Sequence, residues 1–389
     1  MTLTQDTPVH SPDAVIAGLV DDRARRELEG IRPFAQVEAL RDAGVTALRV
    51  PREHGGGGIT LRSFVEKLIE IGRADSDVAQ ILRAHFAVVE TLRLVPGTGP
   101  WFAVVTGGEI IGNAVTEASG AHAGDFVNLG TRFVPDGDGY RITGEKAYST
   151  GTLYATRVWV WGVTPDGVPI NAIVPTDRAG VTVSDDWDGF GQRATGTGTT
   201  RFDDVRAEPA EVFAAPEGDA PPPRSPVGAF LQLYLTAIVA GIALDARDDA
   251  ITLIRSRSRS FTHASTDLPR EDPVLLAVIG EIAAKAEAAR SVVLAAADTL
   301  GKALDEGGSA EAAALEAAQA KLVVDKLALE ATTQLFDVGG ASATRRGANL
   351  DRHWRNVRTL ASHNPDPLKS RVIGEHLVLG TDLPDNTYF

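Results

Sequence analysis

The stretch FVNLGTRFVPDGDGYRITGEKAYSTGTLYATRVWVWGV, Phe126 to Val163, differs in character from the segments on either side of it. Polar and apolar residues alternate along it, and Val, Thr, Tyr and Trp are frequent, as is typical of half-buried β-strands. The turn sequence PDGDGY at Pro135–Tyr140 predicts a hairpin. Together with the short runs INAIVPTD, VTVSDDW and TTRFDDVRAEP, it predicts a β-domain, a barrel or a sandwich, at residues 113–214.

Helical patterns flank this β-region on both sides. Residues 1–112 include DDRARRELEGIRPFAQVEALRDAGV, whose apolar spacing near 3.6 predicts an N-terminal helical domain. APEGDAPPPRSP at 215–226 predicts a stiff proline-rich linker. The alanine-rich segments of 227–389 predict an up-and-down four-helix bundle. The expected fold class is therefore α+β, with helical, β and four-helix parts in that order.

The composition of the chain narrows the classes of function. It has 389 residues, a formal net charge of −14 and no cysteine, so disulfides, thiolate metal sites and catalytic thiols are excluded. A negative surface disfavours nucleic acid and anionic membranes as partners. The N-terminal segment lacks the pattern of a signal peptide. We expect no apolar stretch long enough to span a bilayer, and we expect a cytoplasmic location. The histidines are scattered, so we expect no metal site.

Two segments of the β-region carry side chains suited to ligand binding. GNAVTEASG at Gly112–Gly120 offers Asn113 and Thr116 between glycines that let a ligand approach the backbone. The alternative for this segment is an ordinary capping turn. GEKAYSTGTL offers Tyr148 and Ser149 on a strand, where one face can present hydroxyls; the alternative is a half-exposed strand end.

Aromatic, basic and histidine residues supply further candidates. Trp187 is either a planar surface for a flat ligand or a core residue. Arg257 and Arg259, in IRSRSRSF, suit a phosphate, or else form a solvated face near a helix end. His363 precedes Asn-Pro in DRHWRNVRTLASHNP, at a break where a histidine can exchange protons or simply hydrogen-bond. His85 is a further candidate, and we expect His353 to make a structural hydrogen bond.

Five segments, spread in the same order along nearly the full length of the chain, resemble segments of the acyl-CoA dehydrogenase superfamily. They are LRVPREHGGGG, GNAVTEASG with its Thr-Glu pair, ITGEKAYSTG, TTRFDDVRAEPAEVF and QLFDVGGASATRR. Most members carry a catalytic glutamate near the end of the last core helices, where this chain reads ASHNP. The run RHWRNVRTLASHNP instead resembles the flavin-dependent monooxygenase branch, which includes dibenzothiophene monooxygenases and related sulfur- and nitrogen-oxidising enzymes.

The resemblance implies a two-component monooxygenase. A separate NAD(P)H flavin reductase would supply reduced FMN, or FAD, and O2 would add to it as a flavin hydroperoxide that oxygenates a small molecule at sulfur, nitrogen or electron-rich carbon. It also implies a homotetramer or homodimer. The catalytic residues implied are His363, Ser149, Asn113 and His85. The flavin-binding residues implied are Asn113, Thr116, Tyr148, Ser149, Trp187, Arg257, Arg259, Phe261, Gln334, Gly339, Gly340 and His363, with the arginines on the phosphate, in the same or a neighbouring subunit.

Two other functions stay open on the sequence. One is an acyl-CoA dehydrogenase whose catalytic base has moved to another helix, although ASHNP carries no carboxylate. The other is a non-catalytic interaction protein that kept the fold, although the GNAVTE, KAYSTG and HNP segments are retained.

Overall fold

The computed structural model describes residues 11–118, 128–213, 224–386 and 389. Most of the predicted proline-rich linker, and the end of the predicted β-domain at residue 214, lie outside these residues. The division of the chain at residues 112, 214 and 226 therefore stays a prediction.

The N-terminal part of the described chain is helical up to residue 106. A threonine side chain caps its longest helix: the hydroxyl of Thr60 accepts a hydrogen bond from the amide of Ser63. The helices are α1 (Pro12–Gly18), α2 (Arg23–Glu29), α3 (Phe34–Asp42), α4 (Leu61–Ala74), α5 (Ser76–Ile81), α6 (Arg83–Leu94) and α7 (Gly99–Thr106).

The middle part forms a single mixed sheet with the strand order β6-β7-β3-β2-β4-β5-β8, and β1 pairs with β4. The predicted hairpin is present, since Asp136 pairs with Gly139. Apolar residues from six of the strands pack into one core, so the sheet curls around its own interior. The strands are β1 (Ile111–Ala114), β2 (Arg132–Asp136), β3 (Gly139–Ser149), β4 (Arg157–Val163), β5 (Pro169–Pro175), β6 (Val181–Val183), β7 (Gly198–Ala207) and β8 (Val212–Phe213).

The C-terminal part consists of long helices that pack side by side. Asp272 and Ser309 cap two of them by accepting backbone amide hydrogen bonds. The helices are α8 (Val227–Ser256), α9 (Pro273–Asp305), α10 (Ala310–Gly339), α11 (Asp351–Ala361) and α12 (Asp366–Leu379). The α+β fold class predicted from the sequence is confirmed.

The N-terminal helices share one core with the C-terminal bundle. Helices α4 and α8 approach closely at Gly241, which has no side chain. A Cβ at this position would lie 2.5 Å from the carbonyl oxygen of Ile69 in α4. The Tyr234 hydroxyl of α8 donates to the carbonyl of Ala79 in α5 at 2.8 Å. The Tyr234 hydrogen bond fixes the N-terminal part of α8 against α5, which matters because both helices border the functional site.

Helix α8 corrects one expectation from the sequence. By length and composition it is apolar enough to cross a membrane, yet 89% of its most apolar window is buried inside the protein. Its hydrophobicity is explained by its central position in the bundle, where it contacts helices on several sides.

Candidate functional site

A cavity of about 640 Å³ lies where the sheet, helix α6 and the C-terminal helices meet. Its wall includes the first turns of α8 and the chain that leaves α11. The volume falls in the range of sites that hold cofactors and small ligands. Of the predicted site residues, five lie on this wall: Asn113, Thr116, Tyr148, Trp187 and His363.

His363 is held by a chain of side-chain hydrogen bonds. Its Nδ1 lies 3.2 Å from the Oδ1 of Asn364, and the Nδ2 of Asn364 donates to the Oε1 of Gln232 in α8 at 2.5 Å. Asn364 and Gln232 are 3% and 1% exposed. Because the Asn364 amide nitrogen is used by Gln232, this pattern assigns the imidazole proton to Nδ1 and leaves Nε2 as the ring acceptor.

The surroundings of His363 favour its neutral form. His363 is exposed to the cavity. The protein atoms packed around the cavity, followed by the positive charge of Arg83, lower its pKa to about 3. An imidazolium that donates a proton at neutral pH is therefore disfavoured. A neutral imidazole that hydrogen-bonds or accepts a proton is favoured.

Asn113 reaches the cavity from strand β1. It pairs in parallel register with Trp159 of β4, which also lines the cavity. Its carbonyl accepts a hydrogen bond from the Thr152 hydroxyl at 2.8 Å. Gly112 is needed at the preceding position, because a Cβ there would lie 2.5 Å from the oxygen of that hydroxyl. The strand position and a close backbone approach together place the Asn113 side chain.

The two residues of the Thr-Glu pair after β1, Thr116 and Glu117, have different roles. Thr116 lines the cavity, whereas the carboxylate of Glu117 binds Lys146 at 2.6 Å and accepts from the backbone amides of Gly130 and Thr131. Burial opposes ionisation of Glu117, but these hydrogen bonds outweigh it and lower its pKa. The negative charge of Glu117 therefore stabilises the sheet through Lys146 and the two backbone amides. Glu117 is not placed as a base in the cavity.

At the end of strand β3, Thr150 lines the cavity and the predicted Ser149 does not. Tyr148 has a left-handed φ of 56°, and the pairing register shifts between Lys146 and Ser149. Ser149 is 0% exposed and its hydroxyl has no hydrogen-bond partner within the described chain. The next residue, Thr150, lines the cavity, and its hydroxyl lies 3.0 Å from that of Thr197. Thr150 therefore takes the cavity position that the sequence assigned to Ser149.

Trp187 belongs to a loop at residues 184–197 that forms one side of the cavity. Its indole packs edge-on against Tyr148 with ring centroids 6.4 Å apart. Its Nε1 donates to the carbonyl of Gly191 at 3.3 Å. The backbone of Gln192 is held by the Oδ1 of Asn356 at 2.7 Å. The loop is thereby tied to α11, the helix that leads to His363.

His85, which the sequence predicted to be catalytic, is not among the residues that line the cavity. Both ring nitrogens serve the backbone: Nε2 lies 2.9 Å from the Thr46 carbonyl oxygen, and Nδ1 accepts from the Ile111 amide at 3.2 Å. Burial lowers the pKa of His85 to about 4. His85 points away from the face of α6 that lines the cavity, which carries Arg83, Ala84 and Ala87.

The other predicted flavin residues form a separate group at the far end of the bundle. Helix α8 runs from Leu231 at the cavity to Ser256, about 38 Å at 1.5 Å per residue, and Arg257 follows. There a guanidinium nitrogen of Arg257 donates to the carbonyl of Val338. None of this group lines the cavity of the same chain: Arg257, Arg259, Phe261, Gln334, Gly339 and Gly340.

His353 joins a cluster that the sequence did not reveal. With Asp245 and Asp249 it places possible metal ligand atoms within 4.8 Å of one another. Two arginines already bind these carboxylates, Arg352 to Asp249 at 2.6 Å and Arg23 to Asp245 at 2.5 Å. The Nε2 of His353 lies 2.8 Å from Asp249. The arrangement is that of a buried ion-pair network, and His353 has the structural role expected of it.

The cavity wall also contains residues that the sequence did not single out. They are brought together from distant segments, so no local motif marks them: Gln80, Arg83, Thr150, Trp159, Trp161, Phe190, Gln192 and Thr197. Arg83 is the first residue of α6 and is followed by an apolar run in which the next charged residue is Glu90. Among the described residues on the wall there is no aspartate or glutamate.

Family models match two parts of the chain. Acyl-CoA dehydrogenase, middle domain, matches residues 112–205, and Acyl-CoA dehydrogenase, C-terminal domain, matches residues 233–365. These ranges cover most of the sheet and the core of the C-terminal helices.

Individual relatives extend the similarity to nearly the whole chain. Dibenzothiophene monooxygenase of Rhodococcus erythropolis is 30% identical and spans 97% of this chain and 95% of its own. "Probable FMNH2-dependent monooxygenase SfnC" of Pseudomonas putida is 28% identical, spanning 96% of each chain. The crystal structure of TdsC from Paenibacillus sp. A11-2 with FMN and indole has a TM-score of 0.88 at 29% identity, covering 97% of this chain and 99% of TdsC. The chain therefore belongs to the flavin-dependent monooxygenase branch of the acyl-CoA dehydrogenase superfamily.

Proposed function

We propose that the protein is a two-component monooxygenase. It would take reduced FMN from a separate NAD(P)H flavin reductase and use O2 to oxygenate a small organic substrate at sulfur, nitrogen or electron-rich carbon. One observation carries this proposal: a neutral histidine, His363, faces a cavity whose described wall has no carboxylate. Abstraction of a proton from an acyl-CoA thioester needs a carboxylate base at that place.

The residues of the cavity fit a flavin. Trp159, Trp161 and Trp187 supply flat apolar surfaces for an isoalloxazine ring, and Asn113 and Thr150 supply hydrogen-bonding groups. The Oε1 atoms of Gln80 and Gln192 are buried and find no hydrogen-bond partner in the described part of the chain. Both glutamines lie on the wall, so a ligand with N–H donors would satisfy them. FMN is favoured over FAD because the relatives are named with FMN.

When bound, reduced flavin supplies the electrons that activate O2, so that one oxygen atom goes to the substrate and the other to water. The chain's residues place the reactants and exclude water. His363, fixed through Asn364 and Gln232, offers its Nε2 as an acceptor for a proton at the reacting oxygen. The apolar walls keep bulk water out and so suppress wasteful release of hydrogen peroxide.

The group around Arg257 and Arg259 would serve a flavin phosphate in a neighbouring subunit. The length of α8 keeps these arginines from the cavity of their own chain. A homodimer or homotetramer would bring them to a second cavity. Assembly in the cytoplasm is part of the same proposal.

Anaerobic calorimetry tests the cofactor. We expect reduced FMN to bind more tightly than oxidised FMN and reduced FAD. Arg259→Gln should weaken binding of FMN and leave that of riboflavin, which lacks the phosphate, unchanged. If the protein instead retained tightly bound oxidised flavin that acyl-CoA thioesters reduce, the proposal would be wrong.

A further inference from the structure

The buried face of helix α10 carries a pair of charged residues. Lys321 is 3% exposed and Asp325, one turn later, is 2% exposed. The other buried residues of this helix are alanine, valine, leucine, threonine and glycine. Taking an ion pair out of water costs free energy that apolar side chains of similar volume do not cost. A charged pair on this face therefore points to a role besides the stability of the bundle.

The ammonium group of Lys321 binds both ends of the turn that carries His363. Its Nζ donates to the carbonyl oxygen of Ala361, the last residue of α11, at 3.2 Å. It also donates to the Oδ1 of Asp366, the first residue of α12, at 2.7 Å, and to a carboxylate oxygen of Asp325. An ammonium group has three N–H donors, so these three acceptors use all of them. Lys321 thereby joins the end of α11 to the start of α12.

The position of His363 depends on how α11 ends. The amide of His363 donates to the carbonyl of Leu360 at 3.2 Å, so the residue is continuous with the last turn of that helix. The next residue, Asn364, is held from α8 by the Gln232 side chain. Lys321 holds the two ends of the turn from α10. Two helices of the bundle therefore fix the turn.

Lys321 acts on this turn and not on a ligand, since it is not among the described residues that line the cavity. The ammonium lies at the C-terminus of α11, where the carbonyls carry partial negative charge, and binds an acidic residue in the first turn of α12. Without it, both helix ends lose a charged partner. A displacement of about 1 Å in a reacting group can cost about 10²-fold in rate, so the placement of the turn matters for catalysis.

We propose that Lys321 is a positioning residue, whose ammonium ties α11 to α12 and so sets where the imidazole of His363 stands in the cavity. This inference rests on the proposed function, in which His363 accepts a proton at the reacting oxygen. The alternative is that Lys321 only neutralises Asp325. That alternative predicts a loss of stability when the pair is broken, without any movement of His363.

Three variants separate the two roles. Lys321→Met combined with Asp325→Asn removes the ammonium group without leaving a buried charge unpaired. Asp325→Asn alone also breaks the buried ion pair, but it keeps the bonds from Lys321 to Ala361 and Asp366, and is the matched control. Asp366→Ala removes one end of the tie at a side chain that is 38% exposed. Circular dichroism and thermal unfolding establish that each variant is folded.

NMR spectra of protein labelled with ¹³Cε1-histidine follow the His363 ring without flavin, O2 or substrate. Its signal is assigned from its absence in His363→Gln. At neutral pH the ring is neutral, so its signal reports its position relative to the aromatic walls and not a change of protonation. We expect the signal to shift in the double variant and in Asp366→Ala, and to stay in place in Asp325→Asn. The buried His85 is the internal control and should not shift in any variant.

Turnover provides the second readout, with indole as the probe substrate because TdsC has been crystallised with indole bound. In an assay coupled to a flavin reductase, the double variant should show about a tenfold lower kcat, as expected for residues that orient a catalytic group. KM and the affinity for reduced FMN should change little, because Lys321 is not on the cavity wall. Folded Asp325→Asn should keep the kcat of the wild type.

An unmoved His363 signal in the folded double variant would overturn the inference, and so would a shifted signal with an unchanged kcat. Equal shifts or equal losses of kcat in Asp325→Asn would also overturn it, because the broken ion pair would then explain the effect. Failure of the wild type to bind reduced FMN would instead refute the proposed function. The NMR comparison needs neither flavin nor turnover and would still decide the role of Lys321, so the two failures are distinguishable.

Discussion

His363 and His85 occupy two regions with similar electrostatics and different access. The surrounding protein lowers the pKa of both, to about 3 and about 4, so each is neutral at pH 7, although His363 is exposed to the cavity and His85 is buried. Both ring nitrogens of His85 contact the backbone, Nε2 at the Thr46 carbonyl and Nδ1 at the Ile111 amide, and so join α6 to Thr46 and to β1. The Nδ1 of His363 lies 3.2 Å from the Oδ1 of Asn364, and its ring faces the cavity. A perturbed pKa therefore does not identify a catalytic histidine; access to the cavity separates the two.

The largest expected effect comes from His363→Ala. Loss of a positioned proton acceptor costs typically 10² to 10⁴ in rate, so we expect about a 10³-fold fall in oxygenated product per enzyme. Hydrogen peroxide released per NADH should rise, while reduced FMN still binds. Product and peroxide are measured together in an assay coupled to a flavin reductase. An unchanged product yield would remove His363 from the mechanism.

His85→Ala should act on folding instead. The Thr46 carbonyl and the Ile111 amide would lose their partner, and an unsatisfied buried group costs about 1–3 kcal/mol. We expect the free energy of unfolding in urea to fall by about 3 kcal/mol, with turnover of the folded fraction nearly unchanged. A stable His85→Ala protein with low turnover would reverse the assignment and make His85 the catalytic residue.

The pH dependence of stability provides a second test of His85. Its pKa is about 4 in the folded state and 6.5 when unperturbed, so below pH 6.5 the unfolded chain binds a proton that the folded chain does not. Stability from this group is therefore lost as pH falls. By linkage, the wild type should lose about 2 kcal/mol more than His85→Gln between pH 7 and 5. Parallel stability curves of the two proteins would contradict this.

A smaller effect is expected from Asn364→Ala. The change breaks the link from His363 to Gln232 but leaves the imidazole in place. We expect about a tenfold fall in product turnover, as for other residues that orient a catalytic group. Asn364→Asp, which can still accept from Nδ1 but repels the Gln232 oxygen, should raise the pKa of His363. That rise is visible by NMR titration of the ring, and an unmoved His363 signal in both variants would exclude the orienting role.

The smallest effect separates Thr150 from Ser149. Thr150→Val should weaken reduced-FMN binding about fivefold, the value of one neutral hydrogen bond. Ser149→Ala should leave affinity unchanged, because Ser149 is buried and is not among the residues that line the cavity. Equal losses in the two variants would show that the end of β3 rearranges when flavin binds.

The order of elements was predictable because each part carries its own periodicity. The alternation in β3 and β4 and the helical spacing in α8 to α10 arise locally, and the fold class followed from their order. The membrane-like character of α8 shows the limit of such a reading. Burial in a bundle and burial in lipid impose the same composition on a helix.

The site was predictable where a short motif fixes a backbone break. His363, before Asn-Pro and after the end of α11, is such a case. Asn113 follows the small Gly112 within strand β1, and both His363 and Asn113 line the cavity. Thr150 lines the cavity and Ser149 does not, because the left-handed Tyr148 interrupts the alternation of β3, and a tyrosine gives no sign of that conformation in sequence. Gln192 and Arg83 could not be placed, since only the tertiary fold brings their segments to the same cavity.

Labelling with ¹⁸O2 tests the central claim most directly. The protein is incubated with FMN, NADH, a separate flavin reductase and a panel of small thioethers, amines and indoles. The account predicts a product that gains one ¹⁸O atom from the gas, only when the reductase is present, and that nearly disappears with His363→Ala. Absence of labelled product from the whole panel, together with anaerobic flavin reduction by acyl-CoA thioesters, would contradict it.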